Sequence, residues 1–212
     1  SRMTFTTWFT YAIAAILIAI SPGSGAVLSM SHGLAYGVRK ASGTVLGLQL
    51  GLVLVLVVAG AGVGTLLIAS ELAFSVVKTV GALYLIWLGL SQWRARVDSA
   101  AAASDPVQAE APPLRKRILT GFLTNATNPK GILFMVAVLP QFIDNARPLL
   151  PQLAILGATM VVIDVIVMHG YAFLAQSMQR FFRDAGAVKT QNRFFGGMLM
   201  LMGAALFFVK RT

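Results

Sequence analysis

The sequence predicts an all-α membrane protein of six transmembrane helices, arranged as two inverted repeats of three helices each. The 212-residue chain is 57% hydrophobic and 11% charged, with a mean hydropathy of +0.79, whereas soluble domains average about 25% charged residues. Six apolar windows are long enough, or nearly so, to cross a hydrocarbon core of about 30 Å as helix. Two of these windows are interrupted by a proline, which predicts that helices one and four are broken.

The predicted spans leave little chain for a domain outside the membrane. Backbone polar groups in lipid need internal partners, and the windows lack the alternating pattern of outer-membrane strands, so we expect helices. A polar linker with prolines and an alanine-rich run, residues 94–117, separates a first repeat at 1–93 from a second at 118–212. The spans are Phe5–Leu34, Gly43–Ala69, Leu72–Leu90, Ile118–Ile143, Leu149–Ala175 and Phe194–Val209.

Basic residues predict the orientation of the spans. The net charge of +10 comes from short loops between apolar windows, which favours topogenic charge over nucleic-acid binding. Eleven of the 17 Lys and Arg residues fall after spans one, three and five. The positive-inside bias makes those loops cytoplasmic and both termini periplasmic. The eleven are Arg39, Lys40, Arg94, Arg96, Arg115, Lys116, Arg117, Arg180, Arg183, Lys189 and Arg193.

The composition excludes several kinds of chemistry. The chain has no cysteine, so disulfides, thiol redox relays and thiolate metal sites are excluded. The two histidines, His32 and His169, make a poor metal site, and we expect neither a metal nor a cofactor. The chain has no nucleophile with a base, no paired catalytic carboxylates and no metal motif, so we expect that it is not an enzyme.

The two broken spans predict where a site forms. Spans one and four run longer than a membrane needs, and each has a proline flanked by polar residues and glycine near its middle. Three spans per half make two similar halves cross the membrane in opposite senses, as an inverted repeat. Proline kinks are common in membrane helices, but breaks at corresponding positions favour a paired site. The breaks are Ser21-Pro22-Gly23-Ser24-Gly25 and Thr127-Asn128-Pro129-Lys130-Gly131.

The first break is suited to an oxygen ligand. Pro22 lacks a backbone donor and the glycines permit unwinding, so the N–H groups of Gly23, Ser24 and Gly25 become available. A half-helix N-terminus there would hold a carboxylate or carbonyl oxygen. In inverted halves, Pro22 and Pro129 are expected to face each other at the midplane across a pseudo-twofold axis.

Lys130 and Asp164 are ionisable residues near the centres of spans four and five. Each alone costs roughly 2.5–3.5 kcal/mol on insertion scales, so each should face a cavity or a partner. The simplest partner is the other residue. The pair is then either a buried structural ion pair, or a site in which Asp164 takes a substrate ammonium, a proton and Lys130 in turn.

Other polar residues give weaker indications. Asp164, Met168 and Tyr171 are spaced i, i+4, i+7, so Tyr171 is expected to line the same cavity as Asp164. Asn125, Asn128 and Gln49 offer neutral hydrogen bonds to a ligand or between helices. We interpret His169 as a packed, hydrogen-bonded histidine, and the glycine ridge Gly43, Gly47 and Gly51 as a surface for close helix packing.

Several separated motifs resemble those of the lysine exporter superfamily, and together they span nearly the whole chain. Only the linker residues 97–113 show no clear match, and no proposed site residue lies there. The motifs are Ser21–Gly25, Gly47–Gln49, Gly81–Gly89, Asn125, Thr127–Lys130, Leu139–Ile143 and Asp164–Tyr171.

The resemblance implies a bacterial inner-membrane exporter of small amino acids and derivatives, including homoserine, its lactone and threonine, by proton-coupled antiport. Its partners would be substrate, protons and lipid, and a homo-oligomer stays open. The alternative is an ion or metal exporter or a channel, because relatives in the wider superfamily move metal ions; such a pathway needs several intramembrane ligands, and only Asp164 is central. The expected substrate-binding residues are Ser21, Pro22, Gly23, Ser24, Gly25, Gln49, Asn125, Asn128, Pro129 and Tyr171; the proton-coupling residues are Asp164 and Lys130.

Overall fold

The computed structural model describes residues 3–21, 23–62, 69–94, 110–144, 146–179 and 185–208. All regular structure within these ranges is helical. The helices are α1 (Phe5–Ile20), α2 (Ser24–Tyr36), α3 (Val38–Gly60), α4 (Glu71–Trp93), α5 (Leu114–Ala126), α6 (Pro129–Val138), a 3-10 helix (Leu139–Phe142), α7 (Leu149–Gln176) and α8 (Ala185–Leu206).

The first predicted span is a broken helix, as expected from its sequence. The Thr4 side chain caps α1 by accepting the N–H of Thr7 at 3.2 Å. α1 ends at Ile20 with Ser21 as its C-cap, and α2 starts after an extended Gly23 that has no side-chain cap. The two helices are bent by 58° relative to each other. Pro22 lies outside the described residues.

The predicted fourth span is also divided in two. α5 ends at Ala126, and Asn128 caps α6 by accepting the N–H of Lys130 at 3.1 Å. Pro129 is the first residue of α6, where its missing N–H costs no helical hydrogen bond. The capped proline therefore starts a new helix instead of kinking one helix.

Three described helices are long and apolar enough to cross a membrane: α3, α4 and α7. The bent pair α1 and α2 is a fourth candidate span. α8 begins at Ala185 rather than at the predicted Phe194, so its first half includes the polar run from Lys189 to Arg193. α5 likewise begins inside the predicted linker, at Leu114, and includes three of the linker's five basic residues. The chain is therefore a multi-pass helical membrane protein.

Glycines bring α3 and α5 into close contact. A Cβ on Gly47 would overlap the backbone of Ile118, and one on Gly121 would overlap the backbone of Thr44. A Cβ on Gly51 would lie 2.9 Å from the backbone nitrogen of Ala126. The ridge that includes Gly43, Gly47 and Gly51 is therefore a packing surface within the chain.

The long helix α7 completes the core by packing on α1, α2 and α3. This contact places Asp164 of α7 opposite Gln49 of α3. α4 packs along α8, where Gly89 and Gly196 lie against each other. The centre of the described molecule is therefore built from the two broken helices together with α3 and α7.

Candidate functional site

A cavity of about 60 Å³ lies where the two helix breaks approach each other beside the middle of α7. The carbonyl of Ser21, at the end of α1, is 2.7 Å from the ammonium nitrogen of Lys130 in the first turn of α6. The two predicted breaks therefore meet at one cavity. Seven predicted site residues line it: Ser21, Gly23, Gly25, Asn125, Asn128, Lys130 and Asp164.

Asp164 is the buried acid of this cavity, with 8% of its surface exposed. The amide nitrogen of Gln49 donates to its Oδ2 oxygen at 2.6 Å. The Oε1 oxygen of Gln49 is itself buried and has no hydrogen-bond partner in the described part of the chain. The pair thus combines a carboxylate with an unpartnered acceptor, which is the pattern that an ammonium group recognises.

The hydrogen-bond partner of Lys130 is not Asp164, which was the simplest partner to expect from the sequence. Its Nζ atom donates to the Ser21 carbonyl, at the C-terminal end of α1, where the helix dipole favours a cation. It forms no direct ion pair with Asp164, although both residues are described and line the same cavity. The charges therefore face one space without contact.

The start of α2 offers hydrogen-bond donors. The first backbone bond of this helix runs from the N–H of Val27 to the carbonyl of Gly23, so the preceding N–H groups have no partner within the helix. The Ser24 hydroxyl is buried and lacks a partner among the described residues. Gly25 lines the cavity. A helix end with free N–H groups of this kind can bind oxygen atoms of a ligand.

Some predicted residues do not line the cavity. Tyr171 donates its hydroxyl to the Ile20 carbonyl at 2.5 Å and so ties α7 to the end of α1. Gln49 does not line the cavity but contacts Asp164, which does. Pro129 occupies the first position of α6, and Pro22 lies outside the described residues.

The sequence interpretation missed the apolar wall of the cavity, formed in part by Phe134, Met135 and Met160. Helical spacing contains a signal for two of these residues. Met160 precedes Asp164 by one turn, and Phe134 follows Lys130 by one turn, so each shares a face with a charged residue that was recognised.

Both histidines are held by hydrogen bonds. His169 contacts the Ser42 hydroxyl and the Val165 carbonyl, each at 2.8 Å, which confirms the interpretation as a packed histidine. His32 contacts the Thr44 hydroxyl at 2.5 Å. Among the described residues, no group of three or more His, Cys, Asp or Glu residues is placed to hold a metal ion.

A multi-pass helical protein with a polar cavity between broken helices has the features of a membrane transporter. The model of the LysE type translocator family matches residues 16–210, which include both breaks and every residue that lines the cavity. The chain belongs to this family.

Its relatives include named efflux proteins. A homoserine/homoserine lactone efflux protein from Salmonella typhi is 42% identical over 96% of this chain and 97% of its own length. A leucine efflux protein from Klebsiella pneumoniae is 35% identical over 76% of this chain and 75% of its own. A membrane protein from Vibrio cholerae is 43% identical over 94% of this chain and 95% of its own length. No solved structure gives a significant match to the chain.

Proposed function

We propose that this chain exports small amino acids and their derivatives from bacteria by proton-coupled antiport, with homoserine, homoserine lactone and threonine as substrates. The observation that carries the proposal is the contact between Gln49 and Asp164 beside the donors at the start of α2. One cavity thereby offers acceptors for an ammonium and donors for a carbonyl oxygen. The similarity to homoserine/homoserine lactone efflux proteins supports the same substrates.

The architecture proposed for this activity is six spans in two inverted repeats within the inner membrane, with both termini periplasmic. In the helix contacts that support this architecture, each half packs on the broken helix of the other half. α3 of the first half packs on the broken helix of the second half, and α7 packs on the broken helix of the first. Gly89 of α4 contacts Gly196 of α8, and Gly203 of α8 lies against Ala82 of α4, next to Gly81. A twofold relation between α4 and α8 generates this pair of contacts.

In this proposal, the substrate ammonium binds to Asp164 and to the Oε1 oxygen of Gln49. An amino group has three N–H donors, so it can satisfy both acceptors and still reach a third. A quaternary amine has none. This arrangement therefore selects primary amines at this end of the cavity.

The carbonyl end of the substrate is proposed to bind the N–H groups at Gly23, Ser24 and Gly25, with the Ser24 hydroxyl and Asn128. Homoserine and its lactone differ in the charge of the carboxyl group but share an adjacent carbonyl carbon. Dipolar donors accept either oxygen, whereas an arginine fork strongly favours a full carboxylate. A site of this kind therefore accepts both compounds.

The proposed coupling uses competition for Asp164. The carboxylate of Asp164 binds substrate or a proton in turn. Lys130 lines the same cavity without contacting Asp164, and its charge offsets that of the carboxylate when neither substrate nor proton is bound. Outward movement with substrate and return with a proton would give antiport.

Counterflow of labelled homoserine in proteoliposomes tests the proposal. A carrier exchanges labelled substrate outside for unlabelled substrate inside, so we expect transient accumulation of label above equilibrium. Vesicles loaded with a non-substrate sugar serve as the control. Simple equilibration of the label would indicate a channel, and no entry of any amino acid tested would refute the proposed function.

A further inference from the structure

A second cavity, of about 140 Å³, lies at the end of the molecule where α1 and α7 begin. It is larger than the cavity at the breaks and is lined by both polar and apolar residues. Asp144 and Arg147 form an ion pair there, with 3.4 Å between Oδ2 and Nε. Thr4 and Thr7 line the same space. The function proposed above does not use any of these residues.

The loop that carries this ion pair is held in place by one buried side chain. Gln152 is 8% exposed and accepts the backbone N–H of Asp144 at 2.7 Å. Its amide nitrogen donates to the carbonyls of Asp144 and Pro148, each at 3.0 Å. The backbone that carries the two charged residues is therefore held in place before any ligand arrives, which lowers the entropic cost of binding.

The ion pair itself is weakly held. Asp144 and Arg147 have side chains 53% and 39% exposed, and a pair exposed to this degree contributes little to stability. Asp144 uses Oδ1 to accept the N–H of Ala146 at 2.9 Å, so only Oδ2 is engaged with the guanidinium. A ligand with both charges can replace this contact without unfolding the loop.

An apolar cluster separates the two cavities. It includes Tyr11, Met135, Leu139, Leu156 and Met160. Met135 and Met160 line the cavity at the breaks, whereas Met3 and Phe142, which pack on the cluster, line the second cavity. The second cavity therefore lies on the opposite side of this cluster from the cavity at the breaks.

We infer that Asp144 and Arg147 form a second binding site for zwitterionic α-amino acids, on the exit side of the transport path. The ammonium binds to Oδ2 of Asp144 and the carboxylate binds to the guanidinium of Arg147. α7 begins at Leu149, directly after this loop, and the positive end of its dipole also favours the carboxylate. The inference rests on the proposed function, because it takes an amino acid to be the exported molecule.

The site at the breaks offers dipoles to the carboxyl group, whereas this site offers a cation. The second site is therefore expected to prefer homoserine to its lactone, which has an ammonium but no carboxylate. Arg147 therefore contributes to the binding of homoserine only, whereas Asp144 contributes to the binding of homoserine and of its lactone.

Counterflow in proteoliposomes measures this difference. We expect Arg147→Gln to raise the half-saturating concentration of homoserine about tenfold and to leave that of the lactone within about twofold. Asp144→Asn is expected to raise both. Arg147→Lys retains the charge and should retain the preference for homoserine. Arg39→Gln, at an exposed residue in the first turn of α3, is the matched control and should change neither value.

The alternative is that the ion pair only stabilises the loop. In that case Arg147→Gln changes the values for homoserine and the lactone equally or leaves both unchanged, and either result overturns the inference. Wild-type protein that catalyses counterflow in such an experiment retains its proposed function. Wild-type protein that transports neither compound refutes both the function and the inference.

Discussion

The proposed role of Ser24 predicts a substitution that affects transport without lowering stability. Its hydroxyl is buried without a partner among the described residues, whereas the Ser29 hydroxyl in the same helix donates to the Gly25 carbonyl at 2.8 Å. A buried polar group without a partner costs free energy, and one with a partner contributes about 1 kcal/mol. Ser24 and Ser29 therefore predict opposite effects of the same substitution.

We expect Ser24→Ala to leave the free energy of unfolding unchanged or to raise it by about 1 kcal/mol, because no protein hydrogen bond is lost. The half-saturating concentrations of homoserine and its lactone should both rise about threefold to tenfold, because a ligand contact is lost. Ser29→Ala is the matched control, with an unfolding free energy lower by about 1 kcal/mol and unchanged transport. Thermal unfolding in detergent and counterflow measure the two properties; unchanged transport by Ser24→Ala would remove Ser24 from the site.

Lys130 shows that the sequence alone does not determine which group a single residue contacts. Its position and that of Asp164 identify both as residues of one cavity, because an intramembrane charge needs a partner. The choice of partner depends on the angle at which α1 ends beside α6, which places the Ser21 carbonyl within 2.7 Å of Nζ. Such an angle follows from tertiary packing.

Replacing Lys130 by methionine tests its assignment as a compensating charge. Methionine retains much of the side-chain volume and removes the ammonium. We expect Lys130→Met to weaken the coupling of homoserine export to a pH gradient and to change the ratio of homoserine to lactone transport by less than about twofold, because dipoles bind the carboxyl end. Loss of homoserine transport with retention of lactone transport would instead make Lys130 the ligand of the carboxylate.

Among the elements, the breaks were the most predictable feature and the helix ends the least. A proline between polar residues and glycine leaves a local signal, and both predicted breaks separate two helices. Hydropathy windows detect the membrane, whereas helices continue into water. α3 accordingly begins at Val38, before the predicted Gly43, after a Gly37 with a φ of 84° that ends α2.

The packing of α3 on α5 predicts a steep difference between two glycines. A Cβ on Gly47 overlaps the Ile118 backbone, whereas one on Gly170 meets nothing within 4 Å. We expect Gly47→Ala to lower the free energy of unfolding by about 1–3 kcal/mol and Gly170→Ala to leave it unchanged or raised by up to about 1 kcal/mol. Thermal unfolding in detergent compares them; equal stabilities would mean that α3 and α5 are not in contact.

For the whole molecule, the orientation in the membrane is a prediction from loop charge. The chain has no native cysteine, so single cysteines can be labelled without background. Ala146→Cys lies in the loop before α7, and Lys116→Cys lies in the first turn of α5; both positions are exposed. We expect an impermeant maleimide to label Ala146→Cys in intact cells and Lys116→Cys only after permeabilisation. The reverse pattern would invert the proposed topology.

The sequence also predicted that the two breaks meet at one cavity, because corresponding breaks in the predicted inverted halves lead to one location. It did not predict the second cavity. Asp144 and Arg147 are ordinary loop residues in sequence, and their arrangement depends on Gln152, whose side chain reaches back over a full turn of α7. Contacts made by a buried amide across a loop leave no periodic pattern.

The proton flux that accompanies homoserine transport tests the central claim, that Asp164 exchanges substrate for a proton. In proteoliposomes that contain a pH-sensitive dye, an outward homoserine gradient should acidify the interior with wild-type protein. Asp164→Asn has nearly the same shape but no titrating group, so we expect a folded protein that gives no acidification. Acidification by Asp164→Asn equal to that of the wild type, or homoserine export by the wild type without proton entry, would contradict the account.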